Sequence, residues 1–224
     1  MNEPPAERTC PVCEVRGELV FFEVVEGVTY HRCVACMATL MAPRHWPDPA
    51  QERAIYALHD NNPDDPGYRR FLAKVTEPLS EKLEEGMSGL DFGCGPGPAL
   101  ARMLEETGMR VSLYDPLFAP GRSVFERTYH FITCTEVVEH LRQPASVFRQ
   151  LDSLLQPGGW LAVMTCFQTD DSRFARWHYR RDPTHIVFYR EETLACIAER
   201  MKWELEVPVK DVALFRKPER SVPR

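Results

Sequence analysis

No apolar stretch in this sequence is long enough to span a bilayer, and the opening MNEPPAERT lacks the hydrophobic run of a secretion signal. Those absences predict a cytoplasmic protein with no membrane partner. An excess of positive charge is also missing: 27 Lys and Arg face 33 Asp and Glu, a formal net charge of −6. No global basic field draws the chain to nucleic acid, although a local basic patch stays open. Internal repeats are absent. What is present is ordinary globular composition over 224 residues, enough for one main domain and a small appendage.

Eight cysteines are not spread evenly. Cys94, Cys134, Cys166 and Cys196 are scattered in apolar segments and read as free thiols of a reducing compartment. The other four form two pairs, Cys10-x2-Cys13 and Cys33-x2-Cys36, separated by 19 residues. Two such turns suit a tetrahedral Zn2+ site. A module of about 40 residues needs a staple, because its own core is too small to hold it. Four thiolates leave no open position, so the expected zinc is structural; a redox pair is the weaker alternative. His31 and His45 lie nearby and are not needed as ligands.

The sequence predicts three spans: a zinc ribbon over 1–42, a linker with helices over 43–85, and a larger α/β domain over 86–224. In the linker, QERAIYALHD reads as a helix. GYRRFLAKVTEPLSEKLEEG reads as another, kinked or ended at Pro78. From residue 88, strands alternate with helices: GLDFGCGPG, then PALARMLEETG, RVSLYDP, YHFITCTE, PASVFRQLDSLLQPGG, WLAVMTCF and EETLACIAERM. Two closing strands, WELEVPV and DVALFRK, follow. The pattern implies a Rossmann-like, doubly wound, mostly parallel sheet with an antiparallel closing strand. One unit is thin: Pro116 to Thr128 shows no clear strand and helix.

LDFGCGPG sets Asp91, Gly93, Gly95 and Gly97 on a strand-to-helix turn, where glycine lets the backbone approach a ligand. Asp115 ends the next strand about 20 residues on, the place of an acid that meets ribose hydroxyls. The spacing is GxGxG rather than the GxGxxG of nicotinamide sites. Together with LLQPGGWLAVMT, these residues resemble the motifs of class I S-adenosylmethionine (SAM) methyltransferases over roughly 66–224. The resemblance implies that SAM is the cofactor. It places Asp91, Gly93, Gly95 and Gly97 along the donor's methionine side, Asp115 at the ribose, Thr135 beneath it and Tyr68 over it. The thin segment leaves the usual adenine-binding acid unassigned.

TEVVEHL, residues 135–141, follows a strand and so falls at the carboxyl edge of the sheet. One helical turn there would put Glu136, Glu139 and His140 on one face, and His185 of DPTHIVFY reaches the same edge. Two carboxylates together repel unless a cation lies between them. The four side chains suit Mg2+, Mn2+ or Fe2+ with positions left for substrate oxygen. E-x-x-E-H resembles ubiquinone-biosynthesis O-methyltransferases and the small-RNA 2′-O-methyltransferases, and that resemblance implies these four as ligands. The alternative is a metal-free helix cap in which His140 or His185 is the general base, with Glu136 beside it.

The insert RFARWHYRRDPTH interleaves arginines with aromatics. Trp177, His178, Tyr179, Arg180 and Arg181 are expected to bind substrate; the competing reading packs the aromatics on the sheet and solvates the arginines. The expected activity is SAM-dependent O-methylation of a small hydroxylated or anionic molecule. RNA methylation, and a catalytically silent module of this fold whose ribbon recruits a partner, are the other two readings. The −6 charge weighs against RNA.

Overall fold

The computed structural model describes residues 9–58 and 61–219. The outer ends of the expected 1–42 and 86–224 spans, and His59 and Asp60 of QERAIYALHD, lie outside the described residues.

The chain opens with β1 (Leu19–Val25), β2 (Val28–Cys33) and β3 (Thr39–Met41), which pair antiparallel in sequence order. A fourth strand completes this sheet from far along the chain. β8 (Val187–Phe188) pairs antiparallel with β3, Thr39 opposite Phe188 and Leu40 opposite Val187. The small sheet therefore draws on the ribbon and on the larger domain alike.

Two linker helices follow, α1 (Pro49–Tyr56) and α2 (Pro66–Ser80). Asp48 starts α1 through a capping box, its carboxylate accepting from the amides of Ala50 and Gln51 while Gln51 accepts from the Asp48 amide. Pro78 falls in the last turn of α2, and the helix runs on to Ser80. Leu72, Val75 and Leu79 line the buried face of α2, and this stripe outweighs one missing amide.

The main sheet contains β4 (Ser88–Phe92), β5 (Arg110–Tyr114), β6 (Tyr129–Thr135), β7 (Leu155–Met164), β9 (Glu204–Val209) and β10 (Val212–Arg216). Their order is β5-β4-β6-β7-β10-β9. The first four run parallel; β10 lies antiparallel to both β7 and β9. α2 and α3 (Ala99–Glu105) cover one face with Leu72, Leu79, Leu100 and Leu104. α4 (Pro144–Leu154) and α5 (Glu191–Met201) cover the other with Phe148, Leu151, Leu194 and Ile197. That second core also contains all four ribbon cysteines, so ribbon and sheet share it. No described helix is long and apolar enough to cross a membrane.

One local departure from the sequence reading has a clear cause, and the thin unit between β5 and β6 stays thin. Pro157-Gly158-Gly159 does not close α4, which stops at Leu154. The Gly158 amide donates to the Lys217 carbonyl and the Lys217 amide to Gly159, which draws the turn into β7 as a bulge. Between β5 and β6 the chain makes only a 3-10 turn, Arg122–Glu126, in place of a helix. There the ring of Tyr114 packs against Phe92 and Phe125 at centroid distances of 5.3 and 4.6 Å.

Candidate active site

At the carboxyl ends of the parallel strands lies a cavity of about 800 Å3. One wall is the turn between β4 and α3. Gly93 has φ +83°, and a Cβ there would meet Val137 at 2.3 Å. At Gly97 a Cβ would meet the Asn61 carbonyl oxygen at 2.0 Å. Glycine is required at both places because the linker and the β6 end press against this turn.

Tyr68, Asp91, Gly93, Gly95, Gly97, Asp115 and Thr135 all line the cavity. Asp91 is buried and accepts a 2.8 Å hydrogen bond from the Thr133 hydroxyl. Burial pushes its carboxyl up to about 6, against that hydrogen bond, which lowers it. Asp115 accepts from the amides of Gly95, Leu117 and Phe118 at 3.2, 2.8 and 3.0 Å, which ties the glycine turn to the chain after β5. The Thr135 hydroxyl oxygen is buried with no hydrogen-bond partner. Burial, with Asp91 and Glu136 nearby, pushes the Tyr68 hydroxyl up to about 12.

Facing this wall are His140, His178, Tyr179, Asp182 and His185. TEVVEHL does not form an α-helical turn. Val138–His140 is a single 3-10 turn, and Glu136 precedes it in the left-handed region at φ +51°. Glu136 lies outside that turn, and its left-handed backbone takes it off the face of Glu139 and His140. Ligand atoms of Glu139, His140 and His185 gather within 4.8 Å of one another, and Glu136 stands outside that set. It lines the cavity separately, its carboxyl pushed up to about 9 by burial and by the charge of Glu139.

The gathered trio is tightly held. Nδ1 of His140 donates to the Thr184 carbonyl at 3.0 Å, and Nδ1 of His185 to the Tyr179 carbonyl at 2.7 Å. A carbonyl can only accept, so each neutral ring keeps its Nε2 lone pair free to bind. Burial lowers the His185 pKa and favours that neutral form. The Tyr179 hydroxyl donates to Glu139 Oε1 at 2.6 Å, while Glu139 Oε2 is buried without a partner. An orphaned carboxylate oxygen beside two imidazole nitrogens fits a divalent ion. Tyr56 of α1 closes over this group, its ring 5.4 Å from that of His140.

The arginine-rich insert divides. His178 and Tyr179 line the cavity; Trp177, Arg180 and Arg181 do not. Trp177 packs on Phe188 and Tyr179, 5.7 and 5.3 Å between centroids. Arg180 is 5% exposed and points to the ribbon, where it pairs with Glu26 at 2.9 Å. Arg181 is exposed. Asn61, Tyr56, Leu117, Phe118 and Asp182 line the cavity without having been marked by any motif.

In the ribbon, the four cysteine sulfurs are buried and lie within 4.8 Å of one another. Cys10 and Cys36 are 3.8 Å apart and Cys13 and Cys33 3.6 Å apart, close to the edge of about 3.8 Å expected for four sulfurs around zinc. Sharing protons among sulfurs pushes the Cys10 thiol up and holds that of Cys33 down.

Residues 66–206 match the model of a family described as a methyltransferase domain. The chain belongs to the SAM-dependent methyltransferase family. Among curated proteins it resembles the ubiquinone biosynthesis O-methyltransferase of Nitrosospira multiformis, 30% identical over 149 residues, covering 56% of this chain and 57% of that protein. That of Thiobacillus denitrificans is 31% identical over 149 residues, covering 56% and 59%. The chain thus spans a little over half the length of these relatives. Two solved structures share the methyltransferase fold. An O-methyltransferase family protein from Burkholderia thailandensis has a TM-score of 0.53 at 12% identity, covering 79% of this chain and 66% of that one. The 1,6-didemethyltoxoflavin-N1-methyltransferase of the same species, solved with S-adenosylhomocysteine (SAH), has a TM-score of 0.52 at 17% identity, covering 91% and 100%.

Proposed function

We propose that this methyltransferase moves the methyl group of SAM to a hydroxyl of a small, uncharged, hydroxylated molecule. One observation supports the reading above others: the glycine-turn wall and the two open imidazole nitrogens face the same cavity. Bound SAM supplies an activated methyl, so the protein's task is placement and removal of one proton. Gly93, Gly95 and Gly97 shape the donor wall, with Asp91, Asp115, Thr135 and Tyr68 around it. The Thr135 hydroxyl, unpartnered within the protein, is a ready contact for a bound molecule. Leu117 and Phe118 bring apolar surface where an adenine-binding acid is usual in the family. With no ion bound, His140 or His185 accepts the proton of the attacking hydroxyl at Nε2.

Glu139, His140 and His185 are the residues that would hold Mg2+, Mn2+ or Fe2+. Such an ion, when bound, lowers the pKa of a hydroxyl and orients it. Cys10, Cys13, Cys33 and Cys36 hold a structural Zn2+. Neither lysine nor arginine lines the cavity among the described residues, while Glu52, Asp91, Asp115, Glu136 and Asp182 do. This weighs against an anionic acceptor and against an RNA end.

The test is transfer of labelled methyl from SAM to a panel of hydroxylated aromatics, carboxylates and RNA oligomers, with and without chelator. Uncharged hydroxylated acceptors are labelled, and His185→Ala lowers the rate by about 10²–10⁴-fold. Labelling confined to RNA or to carboxylates would contradict the proposal. So would SAM binding with no transfer to any acceptor, the behaviour of a silent module.

A further inference from the structure

The zinc ribbon lies outside residues 66–206, the span matched by the methyltransferase family. Yet it meets the main domain at the segment that carries Tyr179 and His185. Three sets of contacts make this junction.

The first is backbone. The 33–36 knuckle joins β2 to β3, so a metal held there fixes where β3 lies. β3 pairs with β8, and next to that pairing the Met41 amide donates to the Ile186 carbonyl at 2.8 Å. The Ile186 amide donates in turn to the Glu139 carbonyl at 2.9 Å. A continuous hydrogen-bonded path thus runs from the zinc knuckle to Glu139, passing the residue next to His185.

The second is Arg180. From the chain beside Tyr179, its guanidinium reaches Glu26 at the β1–β2 turn, at 2.9 Å, and the Ala175 carbonyl at 3.2 Å. Its charge also lies beside the Tyr30 hydroxyl in β2 and opposes the rise that burial gives that group. Tyr179 itself makes three contacts to the site. Its hydroxyl donates to Glu139 Oε1 at 2.6 Å. Its carbonyl accepts from His185 Nδ1 at 2.7 Å. Its ring lies 4.1 Å from that of His185. Where Arg180 anchors to the ribbon therefore sets where Tyr179, Glu139 and His185 stand.

The third is packing. Phe174 sits edge-on to Phe22 and Tyr30 of the ribbon and to Phe188, at 5.2, 4.9 and 5.3 Å. Arg32 of β2 pairs with Asp171 at 2.7 Å, and Arg190 pairs with the same carboxylate. The donor wall is built differently: β4, the glycine turn and α3 rest against the linker and α2, with no described ribbon residue lining the cavity.

We propose that the zinc ribbon is a positioning element of the acceptor site, with Arg180 as the positioning residue that acts through Tyr179. Zinc loading then sets the competence of the Glu139–His140–His185 group without setting donor binding. This rests on the function proposed above for that group, but its test separates the two.

Hydrogen exchange is followed on the full chain, zinc-loaded and then zinc-chelated, alongside SAH affinity. Chelation is expected to speed exchange in 136–141 and 179–188 together, by about tenfold or more, while the β4–α3 segment and SAH affinity hold. Arg180→Gln is expected to do the same with zinc still bound, and Arg180→Lys to restore part of the protection. Glu26→Ala, at an exposed side chain, gives the same pattern more weakly and poses no threat to folding. Affinity for Mn2+ alone falls in Arg180→Gln by about 10–100-fold.

Exchange that quickens only within 9–41 would overturn the proposal. A rise across the whole chain with loss of SAH binding would do so too, since the ribbon would then serve general stability. If the unmodified protein takes up no Mn2+, the metal reading fails, and the exchange comparison still decides the ribbon's role.

Discussion

Asp91 shows how a single residue can be legible by type and opaque by state. Its place in D-x-G-x-G-x-G follows from the sequence, but its charge depends on burial that only the fold supplies. The folded carboxyl titrates at about 6 against an ordinary 3.8. Between those values the native state keeps a proton that the unfolded chain has released. Raising the pH therefore favours unfolding in that window. The Asp91 contribution to the stability of the ligand-free protein should fall as pH rises from about 4 to about 6, by on the order of 2–3 kcal/mol, and level off above, while Glu136, raised to about 9, continues the decline at higher pH. Urea unfolding across this range checks it, and Asp91→Asn should remove the Asp91 share of the slope, leaving that of Glu136. A slope unchanged in Asp91→Asn would show that the carboxyl ionises as freely as in water. Glu136 teaches the same lesson: its left-handed backbone, which takes it away from Glu139, has no signal in TEVVEHL.

At the scale of elements, periodicity and spacing did well wherever one physical cause dominated. Alternating strands and helices, the glycine turn and the closing antiparallel pair were all readable, because each follows from hydrophobic pattern or turn chemistry. Three features were not. Pro157-Gly158-Gly159 looks like a helix stop, yet it is recruited into β7 by hydrogen bonds with Lys217, a partner about 60 residues away. β8 is only Val187–Phe188, too short for any period to show. α1 could be read as a helix, but not its role over His140, which depends on Arg142 holding Glu52 at 2.7 Å. The ribbon carries the prediction at this scale. Cys36→Ser removes one of four sulfurs and should abolish tight zinc binding, with loss of ordered β1–β3 structure; metal content and near-ultraviolet circular dichroism read this out. Full retention of zinc and of the spectrum would mean that the four sulfurs are not a metal site.

Over the whole molecule, two units with different logic share one core. The parallel sheet presents its strand ends to a donor, as the methyltransferase family does. The ribbon sheet pairs β3 with β8, next to His185, and in the role proposed above it braces that segment. Net charge was a weak guide to substrate: the −6 total says little, whereas a cavity lining that has acids and, among the described residues, no lysine or arginine supports the uncharged acceptor proposed above. All else depends on the donor's place at the glycine turn, and isothermal titration of the zinc-loaded chain with SAH tests that most directly. The account predicts saturable binding at about one site per chain, weakened by about tenfold or more in Gly97→Ala, where the new methyl would strike the Asn61 carbonyl. No binding by the unmodified protein, or equal binding by Gly97→Ala, would contradict it.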